Sequence, residues 1–199
     1  MPFQVVVEGD ADVPVVTKIA RSLALPIGKP WRMRGKDRLD ACLSKYNEAA
    51  QYSQNFWWVL RDLDHDERCA ALFVQSRLPD KSQHMLLRLA VRQAEAWLLA
   101  DVEGIADYLA VSKNRFPKDP ESVTDPKLEL VDIARRSRKK DVKRSIVPAP
   151  GTSSKTGPGY IAAVIEMCDG YWEPDRARSR SNSLDRCLTR LAEAKESAR

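Results

Sequence analysis

Histidine and cysteine are scarce in this chain, with two and four residues among 199. Cys42, Cys69, Cys168 and Cys187 lie far apart with no C-x-x-C pair, so a structural zinc site is not expected. Reduced, mostly buried thiols are the expectation, and they agree with a cytoplasmic setting. No apolar run approaches the roughly 20 residues that span a bilayer. Met1-Pro2-Phe3-Gln4 lacks the basic start and long apolar core of a secretion signal, so neither export nor membrane insertion is expected. Internal repeats and low-complexity segments are missing as well. The Gly-, Ser- and Thr-containing stretch Ile146–Tyr160 does not have the G-x-x-x-x-G-K-[ST] order of a phosphate loop, although its single lysine, Lys155, would suit a phosphate.

What the chain does have is a hydrophobic share of 43% beside a charged share of 31%, enough for one ordinary domain with an appended lobe. The net charge of +5 is concentrated late. Residues 121–199 hold 16 Lys/Arg against 12 Asp/Glu, a mild pointer to an anionic partner. Seven of the ten residues Arg135–Arg144 are basic. Such a run is either a solvated helix end or a nucleic-acid contact through Arg138, Lys139, Lys140, Lys143 and Arg144.

Two short apolar runs set the fold class. Phe3–Val7 and Phe56–Leu60 are continuous and rich in β-formers, as strands buried on both faces are. Apolar residues at helical spacing follow the first run (Val13, Val16, Ile19, Ala20, Leu23). A strand near Pro30–Met33, a helix over 37–52, a helix over 66–78 and a strand over 84–91 continue the alternation. Strands alternating with helices over short loops predict a mostly parallel four-stranded α/β sheet with helices on its faces. A strong helix follows at Arg92–Asp101. The remainder is mainly helical, so the expected division is an α/β core at 1–110 and a helical extension at 111–199.

In such a sheet the carboxyl ends of the strands form the ligand crevice. Glu8 follows the first strand and Asp62-Leu63-Asp64-His65-Asp66 follows the third. If strand geometry persists through Asp64, Asp62 and Asp64 point the same way. Aligned carboxylates repel unless a cation or protons lie between them, and a hard divalent ion suits oxygen ligands. The alternative is that these aspartates form only a loop and a helix start. Asp12 can cap the helix that follows Gly9. Glu95 either favours the amino end of its helix or adds one more carboxylate to the rim.

With Glu8-Gly9 after strand one and Asp62-Leu63-Asp64 after strand three, the chain resembles the Toprim fold, a Rossmann-like fold shared by topoisomerases, primases, recombination proteins and overcoming-lysogenization-defect nucleases. The family pattern, a Glu and an Asp-x-Asp on the metal-binding rim, maps onto Glu8, Asp62 and Asp64. The acidic residue that the nuclease branch adds four positions after the Glu maps onto Asp12. Arg92–Asp101, Asp125-Pro126-Lys127, Gly157–Tyr160 and Ser183–Arg186 resemble a bacterial family of small stand-alone Toprim-like proteins. Its members often lie beside an AAA or ABC-type ATPase in apparent phage-defence cassettes.

The resemblance implies Mg²⁺ or Mn²⁺ held by Glu8, Asp12, Asp62 and Asp64, with Glu95 a further candidate. It implies phosphodiester hydrolysis of DNA or RNA, with Glu8 or metal-bound water in acid/base work. Lys155 and Arg92 are candidates for a positive group near the leaving oxygen. Two other classes stay open: a regulatory or adaptor subunit of an ATPase system, and a nucleic-acid-binding module without chemistry.

Overall fold

A computed structural model describes residues 1–198 and divides the chain into two compact units. The first unit is residues 1–91 with the chain from Ser183 on; the second is Arg92–Asn182. The expected boundary at 110 differs from this division, and so does the assignment of the last helix. The chain leaves the sheet at Val91, and its final helix returns to the first unit. Val91 N–H donates to Ser183 Oγ at 3.3 Å where the two stretches of that unit meet.

The first unit is built on β1 (Gln4–Val7), β2 (Trp31–Arg32), β3 (Trp57–Asp62) and β4 (Met85–Ala90), all parallel in the order β2-β1-β3-β4. The α/β class and parallel sheet expected from the alternating pattern are those observed. Helix α1 (Asp12–Ser22) follows β1, α2 (Lys36–Asp40) and α3 (Leu43–Ser53) follow β2, and α4 (Ala70–Arg77) follows β3. The single helix expected over 37–52 is thus two helices, divided at Ala41 and Cys42.

Register puts Val6, Val59 and Leu87 in one row and Val7, Leu60 and Arg88 in the next. The first row joins Leu39, Leu43, Tyr46, Leu63 and Phe73 in a buried cluster on one face of the sheet. Burial of such aliphatic side chains contributes about 1.5–3 kcal/mol each. The second row faces away from that cluster, and Arg88 is the charged member of it.

The second unit gathers on α5 (Ala94–Ala100), every residue of which is buried. Around it are α6 (Val102–Leu109), α7 (Pro126–Ala134), α8 (Lys140–Ile146), α9 (Tyr160–Gly170) and the short α10 (Pro174–Ala177). Buried Asp101 caps α6 by accepting from Gly104 N–H at 3.2 Å and also accepts from Nε and Nη2 of Arg176 at 2.9 and 2.8 Å. Trp172 Nε1 donates to Trp97 O at 2.9 Å. The last helix, α11 (Asn182–Ser197), buries Leu184, Cys187, Leu188 and Leu191. Among the described residues no helix is long and apolar enough to cross a membrane.

Candidate metal centre

Glu8 and Asp62 meet because β1 and β3 are hydrogen-bonded neighbours in parallel register, with Val7 beside Leu60. One residue past β1, Glu8 Oε2 accepts the Asp62 backbone N–H at 3.2 Å. The carboxyl ends of two strands therefore meet at the Glu8 carboxylate, which contacts Asp62 through its backbone amide, at the place where an open parallel sheet has its crevice. Leu63 is buried in the apolar cluster, which keeps Asp62 and Asp64 on either side of it out of the core.

The strand ends at Asp62, however, and Asp64 has a left-handed backbone with φ of 48°. Aspartate tolerates this conformation better than most residues. The strict alternation expected through Asp64 is therefore replaced by a turn. Asp64 still lies within electrostatic reach of Glu8. The Glu8 carboxyl is pushed above its ordinary 4.5 chiefly by burial, with the Asp64 charge adding to the rise. The Asp62 amide and the charges of Arg61 and Lys36 act the other way.

Two cations that the acidic motif did not reveal complete the corner. Lys36 opens α2, a position at a helix amino end where a positive charge is disfavoured. Its Nζ lies 3.1 Å from Asp64 Oδ2 and 2.9 Å from Asp66 Oδ1. Arg61 is 1% exposed and bonds Asp40 through Nε and Nη2 at 3.1 and 2.9 Å. Its Nη2 also reaches Asp66 Oδ2 at 2.6 Å, and Nη1 donates to the Asp62 carbonyl. The guanidinium carbon sits 4.5 Å from the centre of the Phe73 ring. Arg61 is thus the strut that fixes the 62–66 turn from beneath. Asp66, expected to begin a helix, is held by Lys36 and Arg61 instead, and α4 begins only at Ala70.

Asp12 is buried at the start of α1, where its Oδ2 accepts Gly9 N–H at 2.8 Å and closes the turn after Glu8. This bond gives it a positioning role for Glu8.

The remaining expected residues belong to the second unit. Glu95 is buried in the first turn of α5, where Oε1 accepts from Tyr160 Oη at 2.9 Å and lies 3.2 Å from Lys127 Nζ. Lys155 pairs with Asp125 at 3.2 Å. Arg92 opens the unit and is half-buried. In the basic run, Arg138 Nε donates to Ala110 O. Lys139 Nζ donates to the carbonyls of Asp107 and Tyr108, so both side chains satisfy the carboxyl end of α6. Lys140, Lys143 and Arg144 are exposed on α8.

Among the described residues, no three His, Cys, Asp or Glu side chains are gathered into a ready metal shell. Mg²⁺ keeps several waters and is often held by one or two carboxylates plus substrate phosphates. Glu8 and Asp64 fit that habit in kind and charge, and the Lys36 ammonium bridging Asp64 and Asp66 marks the corner as a place where positive charge settles. Comparisons with known protein families, curated proteins and solved structures find no match to this chain.

Proposed function

We propose that the chain is a Mg²⁺- or Mn²⁺-dependent phosphodiesterase acting on DNA or RNA. The observation that carries this reading is the meeting of the Glu8 carboxylate with the Asp62 amide, with Asp64 alongside, at the carboxyl ends of adjacent parallel strands. The Toprim-like order of Glu8, Asp62 and Asp64 supports it. Glu8 and Asp64 would hold the ion, with Asp62 completing the acidic corner. When bound, the ion would neutralise charge on the phosphoryl group and activate water.

The chain's own part is to keep these carboxylates in place. Asp12 ties down the turn that carries Glu8, and Arg61 ties down the turn that carries Asp64. Burial holds the Glu8 carboxyl above its ordinary range, the direction that helps a carboxylate take up a proton in acid/base work. Glu95 is left out of the ligand set, since Lys127 and Tyr160 already satisfy its carboxylate. Lys140 and Lys143, exposed on α8, with Arg144 beside its Asp141 partner, are offered to a nucleic-acid backbone. An ATPase partner of the AAA or ABC type remains part of this proposal through the family resemblance.

The direct test is incubation with end-labelled DNA and RNA in Mg²⁺, Mn²⁺ or EDTA. Cleavage of at least one substrate in metal, and of neither in EDTA, is the expected result. Intact DNA and RNA in every metal condition would contradict the proposal.

A second reading rests on Lys36. With an ammonium between Asp64 and Asp66 the place of an ion is already taken by a side chain, as it would be in a non-catalytic adaptor subunit of an ATPase system. Lys36→Met separates the two. If Lys36 merely holds the place of the ion, its removal lowers the Mn²⁺ concentration for half-maximal thermal stabilisation by about fivefold, the effect of one partly exposed charge. Destabilisation without any metal response supports the adaptor.

A further inference from the structure

The opposite end of the sheet carries a second charged site. A recess of about 420 Å³ lies within the first unit, lined by Phe56, Lys81, His84, Arg88, Arg190 and Glu193 among others. Phe56 and His84 precede β3 and β4, so the recess opens toward the amino ends of these strands, whereas Glu8 and Asp62 stand at carboxyl ends.

Arg88 is the feature that demands explanation. It occupies the middle of β4, in register with Leu60 and Val7, where an aliphatic side chain would pack. Its Nε donates to Leu87 O at 2.8 Å, and among the described residues no carboxylate lies within ion-pair distance of its guanidinium. Burial lowers its pKa and the charges of Arg190 and Arg186 add to this, while Cys187 and Glu193 act the other way. Lys81 is exposed at the edge of the recess, where its Nζ donates to Met85 O at 3.0 Å and the charges of Arg88 and Arg190 disfavour its own. The one carboxylate in the wall, Glu193, is already 2.6 Å from Arg190 Nη1. Lys81, Arg88 and Arg190 therefore converge from a loop, a strand and a helix with one acid among them. Like charges held together in a recess oppose folding unless an anion joins them.

We propose that this recess binds a phosphate group, with Arg88 at its base and Lys81 and Arg190 at its mouth. Guanidinium groups match the oxygens of a phosphate in pairs, and a third cation suits its second charge. The volume is that of a small-ligand site and admits either free phosphate or the phosphate of a mononucleotide. The site is independent of the acidic corner and of the activity proposed for it.

The test is isothermal titration of the full chain with inorganic phosphate and with adenosine monophosphate at matched ionic strength. The native chain, Arg190→Gln, Lys81→Met and Lys45→Gln are compared, the last altering an exposed cation of α3 outside the recess. Saturable binding is expected for the native chain and Lys45→Gln, weakened at least about tenfold in Arg190→Gln and in Lys81→Met. Tighter binding of the nucleotide identifies a nucleotide as the source, and equal binding identifies the phosphate group alone. Arg88→Met, which places an apolar side chain in an apolar row, is expected to fold and to lose binding. No saturable binding of either anion to the native chain, or equal binding by all the variants, overturns the proposal.

Discussion

Asp64→Ala is expected to lower metal-dependent cleavage by about 10²–10³-fold while moving the thermal transition by only a few degrees. The size is that of removing one preorganised charge-stabilising group from a reacting centre. The fold should tolerate the change because Asp64 lies in a turn outside the core, and its loss frees Lys36 to bind Asp66 alone. Alanine in place of aspartate at positive φ costs about 1 kcal/mol, a shift of a few degrees for a chain of this size. The carboxylate deletion therefore separates chemistry from stability. Unchanged cleavage in a folded Asp64→Ala chain would remove this residue from the reaction.

The same corner predicts a pH dependence through Glu8. Its carboxyl is raised above 4.5 in the folded chain, so the folded state holds a proton that the unfolded state releases. Deprotonation at higher pH thus works against folding, and a bound cation relieves that penalty. Stabilisation by Mn²⁺ should grow as pH rises through the Glu8 pKa and fade on the acid side, where protons compete for the carboxylate. In Glu8→Gln that acid-side fading disappears. A native-like pH profile of Mn²⁺ stabilisation in Glu8→Gln would assign the titration elsewhere.

Arg61→Ala is the substitution expected to cost the most stability, about 3–5 kcal/mol, as for other broken buried ion pairs. It strands Asp40, whose side chain is 14% exposed, and removes the contact on Phe73. It also releases the carbonyl of Asp62 and the carboxylate of Asp66. Chemical denaturation measures the loss, and Arg61→Lys should recover only part of it, because an ammonium cannot bond Asp40 and Asp66 as a planar fork does. A loss below about 1 kcal/mol would mean that the turn stands without its strut.

The contrast among Arg61, Lys36 and Glu8 explains how far the residues alone could carry the account. Phe3–Val7 and Phe56–Leu60 declare themselves as buried strands because both faces of a parallel sheet are covered, so no polar residue interrupts them. Given parallel strands, the meeting of Glu8 with Asp62 follows from topology. Arg61 stands at the end of an apolar run, and nothing local announces that Asp40, 21 residues earlier, will satisfy it. Lys36 is 28 residues from Asp64, and its role exists only once β2 lies beside β1.

Other features were hidden for different reasons. The turn at Asp64 is not announced locally, because an aspartate just past an apolar run can either extend the strand or take a left-handed turn. The return of α11 to the first unit, and the recess beside Arg88 that this helix helps to form, depend on chain connectivity that helical periodicity does not report. Glu95 shows the reverse limit. Its place in the first turn of α5 was legible, whereas its partners Tyr160 and Lys127 come from 65 and 32 positions further along the chain.

The central claim concerns an ion at the corner shared by β1 and β3, and anomalous diffraction from a crystal grown with Mn²⁺ tests it most directly. The account predicts a manganese peak within coordinating distance of the Glu8 and Asp64 carboxylates, with the Lys36 ammonium displaced. A corner without manganese, in which Lys36 still bridges Asp64 and Asp66 at saturating metal, would contradict it.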